Sequence, residues 1–156
     1  MKYLLNGKEM KNWEKQAMEN YKTPSLLLME RAAQAVVEEL MRGTYPLQNV
    51  LVACGTGNNG GDGFALACIL NEQGIDCTVF KVSSHLSGDS AFYAAEARRK
   101  NVTCRAFSEG CLNGYGTVVD CLLGTGFQGE LRSEYRRVIE SINRSGAYVV
   151  SADINS

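Results

Sequence analysis

The stretch Val50-Leu51-Val52-Ala53-Cys54 is almost wholly apolar and stops at a run rich in glycine, Gly55-Thr56-Gly57-Asn58-Asn59-Gly60-Gly61-Asp62-Gly63. A short run with no polar alternation suits a strand buried on both faces, and such strands belong to parallel sheets covered by helices. The join recurs where Thr117-Val118-Val119-Asp120-Cys121-Leu122-Leu123 meets Gly124-Thr125-Gly126-Phe127-Gln128-Gly129. Both loops read G-x-G-x-x-G directly after a strand. Glycines at such a turn allow positive φ and let backbone N–H groups approach an anion closely. A helix opening from the first loop adds a dipole that favours phosphate. Two joins of this kind confine the chain to a Rossmann-like α/β fold, a three-layer αβα sandwich around a mostly parallel sheet.

The remaining pattern fits that frame. Two helices precede the sheet. Asn6 with Glu9 makes a capping box for the first, whose Met10, Trp13, Ala17 and Tyr21 recur at helical spacing and predict one buried face. Thr23-Pro24 predicts a threonine N-cap with proline at the first helical position of the second. Leu26, Met29, Ala33, Val36 and Leu40 form its stripe, and Gly43 ends it. After the first strand a helix runs through Phe64-Leu70 and closes near Gly74. Cys77-Phe80, Val102-Ala106 and Ala147-Ala152 read as further strands. Ser87–Lys100 and Ser133–Arg144 read as helices, the latter with Tyr135, Val138, Ile139 and Ile142 inward. Alternating strands and helices imply right-handed βαβ units. The chain stops at Ser156, just after a core strand, so the single domain 1–156 is expected to be a C-terminally truncated fragment.

Composition excludes several classes of function. In 156 residues the apolar share is 45% and the formal net charge is -1, which gives no electrostatic case for nucleic acid or an anionic membrane. No apolar run approaches a membrane span, and the first residues turn polar too early for a signal peptide. The six cysteines share no CxxC spacing and mostly lie in apolar runs, which fits reduced thiols in a cytoplasmic protein rather than disulfides or a zinc site.

In open α/β sheets ligands bind beyond the carboxyl ends of the strands, so Asp120 and Asp153, near the ends of two strands, are expected in one crevice with the glycine loops. The redox dinucleotide fingerprint needs an acid at the end of the second strand to hold a ribose; here that strand ends near Lys81-Val82, and Asp76 stands at its beginning. No G-K-[ST] follows the glycines, so a P-loop is excluded as well. Each polar residue keeps a structural alternative: Asp120 capping a turn, Asn58 and Asn59 in left-handed turn conformations, Asp62 complementing a helix dipole, Asp153 accepting backbone N–H groups. His85 and the Arg98-Arg99-Lys100 cluster read as solvated.

The run Gly55–Gly63 resembles the GxGNNGGDG signature of the YjeF N-terminal domain, the NAD(P)H-hydrate epimerases. Leu28-Met29-Glu30-Arg31-Ala32-Ala33 is similar to that family's L-M-E-x-A segment, Val119–Gly126 to its D-x-x-x-G-x-G segment, and Asp153-Ile154-Asn155-Ser156 to its D-I-P-S-G motif, with Asn155 in place of proline. The resemblance implies an isomerase that interconverts the R and S forms of hydrated NADH and NADPH (NADHX and NADPHX) in nicotinamide nucleotide repair. By the same resemblance Asn58, Asn59, Gly60, Gly61 and Asp62, with Gly124, Thr125, Gly126, Phe127, Gln128, Gly129 and Glu130, line the substrate. Asp153 also contacts substrate and is the expected general acid/base, because moving a hydroxyl on and off C6 requires proton transfer. Asn59, Asp120 and Ser156 match positions that hold one potassium ion per subunit; three oxygen donors of which one is charged suit a weakly hydrated monovalent cation. A separate ADP- or ATP-dependent dehydratase in the same pathway and a homodimer are also implied. The alternative is a non-catalytic nucleotide-binding or protein-interaction module on the same fold.

Overall fold

The computed structural model describes residues 5–108 and 110–153. Its elements run α1 (Gly7–Asn20), α2 (Ser25–Arg42), β1 (Val50–Cys54), α3 (Asn58–Glu72), β2 (Cys77–Lys81), α4 (Gly88–Arg99), β3 (Thr103–Ala106), β4 (Thr117–Cys121), α5 (Ser133–Arg144) and β5 (Tyr148–Ser151). The strands form one sheet in the order β3-β2-β1-β4-β5, and every neighbouring pair is parallel.

The central strands are buried on both faces, as their apolar runs require. Val50, Val52 and Cys54 pack with Met29, Ala33, Val37 and Leu40 of α2 and with the apolar residues of α3, beside Ala97 of α4. Leu51 and Ala53, alternating with them, meet Tyr135, Val138 and Ile142 of α5. Two cores on opposite faces of one sheet make the expected three layers. The edge strands β3 and β5 are largely exposed.

Several local expectations need correction. The α1 capping box is present, with Asn6 Oδ1 accepting from the Glu9 N–H and Glu9 Oε2 accepting from the Asn6 N–H. The stripe of α1, however, is not a buried face: Met10 is 43% exposed, Trp13 59% and Tyr21 78%. On α2 the N-cap is Pro24, with no side-chain cap, so Thr23 stands outside the helix. Val37 is fully buried there while Val36 packs only at the margin, because the stripe continues by a step of four from Ala33. Helix α3 opens from the glycine run as expected, at Asn58, six residues before the apolar stretch that begins at Phe64. Asn58 and Asn59 are therefore helical, not left-handed turn residues, and no glycine of Gly55–Gly63 has positive φ. Of the cysteines, all free, Cys104 is exposed and Cys111 half-buried.

Candidate active site at the β1–β4 switch point

Connections from β1 lead to β2 and β3 on one side of the sheet, while β4 and β5 extend it on the other. The order reverses between β1 and β4, and a crevice opens beyond their carboxyl ends, where α/β proteins bind ligands. Both glycine loops sit there. Between them lies a cleft of about 550 Å³, a volume in the range of small-molecule sites.

The first loop is built by close packing. The Gly55 N–H donates to the Cys121 carbonyl across to β4, and a Cβ on Gly55 would lie 2.0 Å from the Leu122 carbonyl oxygen. A Cβ on Gly63 would lie 2.7 Å from Cys54 Sγ and 2.8 Å from Cys121 Cβ. Glycine is thus needed to bring the first turns of α3 down onto the two central strands. Tyr135 Oη of α5 accepts from the Thr56 N–H at 3.0 Å, and Ser90 Oγ of α4 donates to the Gly57 carbonyl at 2.9 Å. The first-turn N–H groups of α3 have no intrahelical partner and carry the positive end of its dipole.

The second loop is organised by Asp153. Its Oδ2 accepts from the Thr125 N–H at 2.9 Å, and a Cβ on Gly124 would meet that same oxygen at 2.9 Å. Nearby, Asn59 Nδ2 donates to the Leu123 carbonyl, and Asp120 Oδ1 accepts from the Leu122 N–H at 3.0 Å. Asn59 and Asp120 are both buried at this end of β4. The turn-capping alternative for Asp120 and the backbone-acceptor alternative for Asp153 both describe contacts that are present, and neither prevents a further role.

Of the residues expected to meet substrate, Asn58, Asn59, Asp62, Gly124, Thr125, Gly126, Phe127, Gln128, Glu130 and Asp153 line the cleft. Gly60 and Gly61 do not; they are buried, Gly60 against the Gly55 backbone and Gly61 against Met29 and Ser90. Gly129 has φ +92° and shapes the loop rather than lining the cleft. Asp120 lies behind the cleft wall, and Ser156 falls outside the described residues. The sequence did not assign nine further lining residues to the substrate: Lys11 and Glu14 of α1, Thr56, Gly57, Leu122, Leu123, Leu131, Arg132 and Tyr135. A smaller hollow of about 340 Å³ adjoins the cleft, shares Thr56, Arg132 and Tyr135 with it, and is bounded by the exposed His85.

The electrostatics single out one carboxyl. Burial first, then the charges of Glu14 and Asp153, push Asp62 up to about 7. The thiols of Cys54 and Cys121, buried under the glycine loops, are held protonated by burial and supply no nucleophile.

A family model described as "YjeF-related protein N-terminus" matches residues 25–156. The chain belongs to the YjeF N-terminal family. An NAD(P)H-hydrate epimerase of Rhodopirellula baltica is 38% identical over 144 residues, which are 88% of this chain and 59% of that protein. A bifunctional NAD(P)H-hydrate repair enzyme of Coxiella burnetii is 34% identical over 100% of this chain and 32% of its own length. Another epimerase, from Limosilactobacillus reuteri, is 31% identical over 98% of the chain and 73% of its own. The chain therefore spans less than two thirds of the first two of these relatives. The fold is similar to that of the crystal structure of yeast ynu0, which is 25% identical with a TM-score of 0.81, over 98% of this chain and 70% of that one.

Proposed function

We propose that the protein interconverts the R and S epimers of hydrated NADH and NADPH in the cytoplasm, feeding a separate dehydratase that accepts one epimer. The observation that carries the reading is the carboxylate of Asp153, held by the Thr125 N–H at the rim of a switch-point cleft whose other wall carries Asp62. The names of the relatives support the same reaction, and two of them describe an epimerase.

The hydroxyl on C6 of the substrate leaves as water once its oxygen is protonated, and the adjacent ring nitrogen stabilises the cation left behind. Water then adds to the opposite face and loses a proton, so neither protons nor electrons are consumed. Asp153 is the group assigned to those transfers: as the carboxylic acid it gives its proton to the departing hydroxyl, and as the carboxylate so formed it takes a proton back from the water that adds. Asp62, a neighbouring carboxyl whose proton is held up to about pH 7 by burial and by the charges of Glu14 and Asp153, lowers the negative charge of the cleft on the acid side of neutrality. The phosphates meet the N-terminus of α3. Leu122 and Leu123 form an apolar floor that limits water at the reacting ring.

A potassium ion fits the residues present. Asn59 and Asp120 are buried, anchored to adjacent backbone positions of the same segment, and supply one neutral and one charged hard oxygen donor. Among the described residues no group of three or more His, Cys, Asp or Glu side chains forms a metal cage. The ion would be held by these two residues with Ser156 and would supply positive charge beside the substrate.

The test supplies both epimers of hydrated NADH, an S-specific dehydratase and potassium, and follows consumption of the R form. Protein that does not accelerate it ends the epimerase reading. Asp153→Asn is expected to lower turnover by at least about a hundredfold while nucleotide affinity stays within a few-fold. Normal turnover in that variant would remove Asp153 from its role.

A further inference from the structure

Lys11 belongs to neither glycine loop and lies outside the residues 25–156 that the family model matches. Helix α1 is seated beside the second loop: a Cβ on Gly7 would lie 3.3 Å from Thr125 Cβ. One turn later a Cβ on Gly126 would lie 3.8 Å from Lys11 Nζ, so the ammonium stands over the middle of that loop. Lys11 lines the cleft and joins no ion pair among the described residues.

The loops themselves have fewer free donors than their glycine content implies. In the second, the Thr125 N–H is taken by Asp153 and the Phe127 N–H by the Gly124 carbonyl. In the first, the Gly55 and Thr56 N–H groups are taken by Cys121 and Tyr135. Glu14, Asp62, Glu130 and Asp153 face the cleft with only Lys11 and Arg132 to offset them. A phosphorylated ligand that extends from the N-terminus of α3 toward Gly126 therefore meets carboxylates and a loop whose Thr125 and Phe127 N–H groups are already engaged, and a cation on that side offsets its charge.

We infer that Lys11 is a substrate-binding residue, its ammonium pairing over Gly126 with the phosphate-bearing part of the dinucleotide. The identity of the dinucleotide rests on the epimerase reading; the anion site itself does not. A lysine on a flexible stem acts as a point charge on phosphate and tolerates modest shifts of its partner.

Titration calorimetry of the protein with inorganic pyrophosphate and with NADPH, an unhydrated analogue, separates the two claims. Lys11→Met keeps the stem and removes the charge; Lys8→Met removes an equal charge from the exposed start of the same helix and is the control. The expected result is that Lys11→Met weakens binding of both probes roughly tenfold or more, that Lys8→Met leaves both unchanged, and that thermal midpoints of all three proteins agree. Equal affinity of Lys11→Met and wild type overturns the inference and leaves the epimerase reading standing. Equal weakening by Lys8→Met also overturns it, since net charge then explains the effect. Pyrophosphate binding that depends on Lys11 without any NADPH binding supports the anion site and overturns its assignment to the dinucleotide. If wild type binds neither probe, the anion site falls, while the epimerase reading stands or falls with the R-epimer assay.

Discussion

Asp62 holds its proton more tightly in the folded chain than an ordinary aspartate does, moving from 3.8 to about 7 because it is buried between the Glu14 and Asp153 carboxylates. Its contribution to stability is therefore fully present below pH ~4 and is lost as pH rises toward and through about 7, where the folded protein must give up the proton. Over that span the loss is on the order of a few kcal/mol. Urea unfolding at pH 5 and pH 8 should show the wild type less stable at the higher pH. Asp62→Asn should flatten this difference and exceed the wild type at pH 8. A wild type and variant with parallel pH profiles would contradict the assignment. That carboxyls cluster in the cleft was legible only in part: Asp62, Glu130 and Asp153 stand in recognisable motifs, but Glu14 stands in a helix far upstream. No local pattern marks a helical glutamate as facing a site rather than water.

At the scale of elements, the glycine run shows which signals a sequence carries well and which it hides. Strands β1 and β4 were readable because burial on both faces forces continuous apolar runs, and their ends fall on the expected glycines. The residue at which α3 starts was not, because glycine is a poor helix former and helical periodicity is weak across Asn58–Gly63. Tertiary packing overrides propensity here: Gly60 and Gly63 are helical because only a side chain without Cβ lets α3 reach β1 and β4. Gly63→Ala is accordingly expected to cost about 1 to 3 kcal/mol, since the added methyl would press on Cys54 and Cys121 in a closed core. A lowered urea midpoint at unchanged m-value would register this, and an unchanged midpoint would show that α3 can shift outward freely. Tyr135 illustrates the complementary case. Its place on the inward stripe of α5 was legible, but the Oη that holds the Thr56 N–H depends on a contact 79 residues away in sequence.

The whole molecule places α1 differently from the other helices. Helices α2 to α5 bury a face against the sheet or one another, whereas α1 has no buried residue and contributes Lys11 and Glu14 to the cleft beside an exposed apolar stripe. Its helical spacing was read correctly from Met10, Trp13, Ala17 and Tyr21, yet spacing reports only that a face is apolar, not what covers it. An exposed tryptophan and methionine on α1, with the exposed Tyr21 at its C-cap and a rim of Lys15 and Glu19, form the kind of surface that marks an interface rather than a free wall. The homodimer that the family resemblance implies is accordingly predicted to use this helix, and its assembly state is the test. Sedimentation velocity across a range of concentrations is expected to give twice the mass of one chain for the wild type. Trp13→Lys should sediment as a single chain, because the substitution places a charge at the centre of the shared face without disturbing a folded core. Trp13 fluorescence should shift to shorter wavelength as the wild type associates. Because α1 also carries Lys11, a dimer that steadies this helix would tighten the cleft, so Trp13→Lys is further expected to weaken pyrophosphate binding at concentrations where the wild type is paired. A variant that sediments and binds as the wild type does would separate the apolar face of α1 from both assembly and the site.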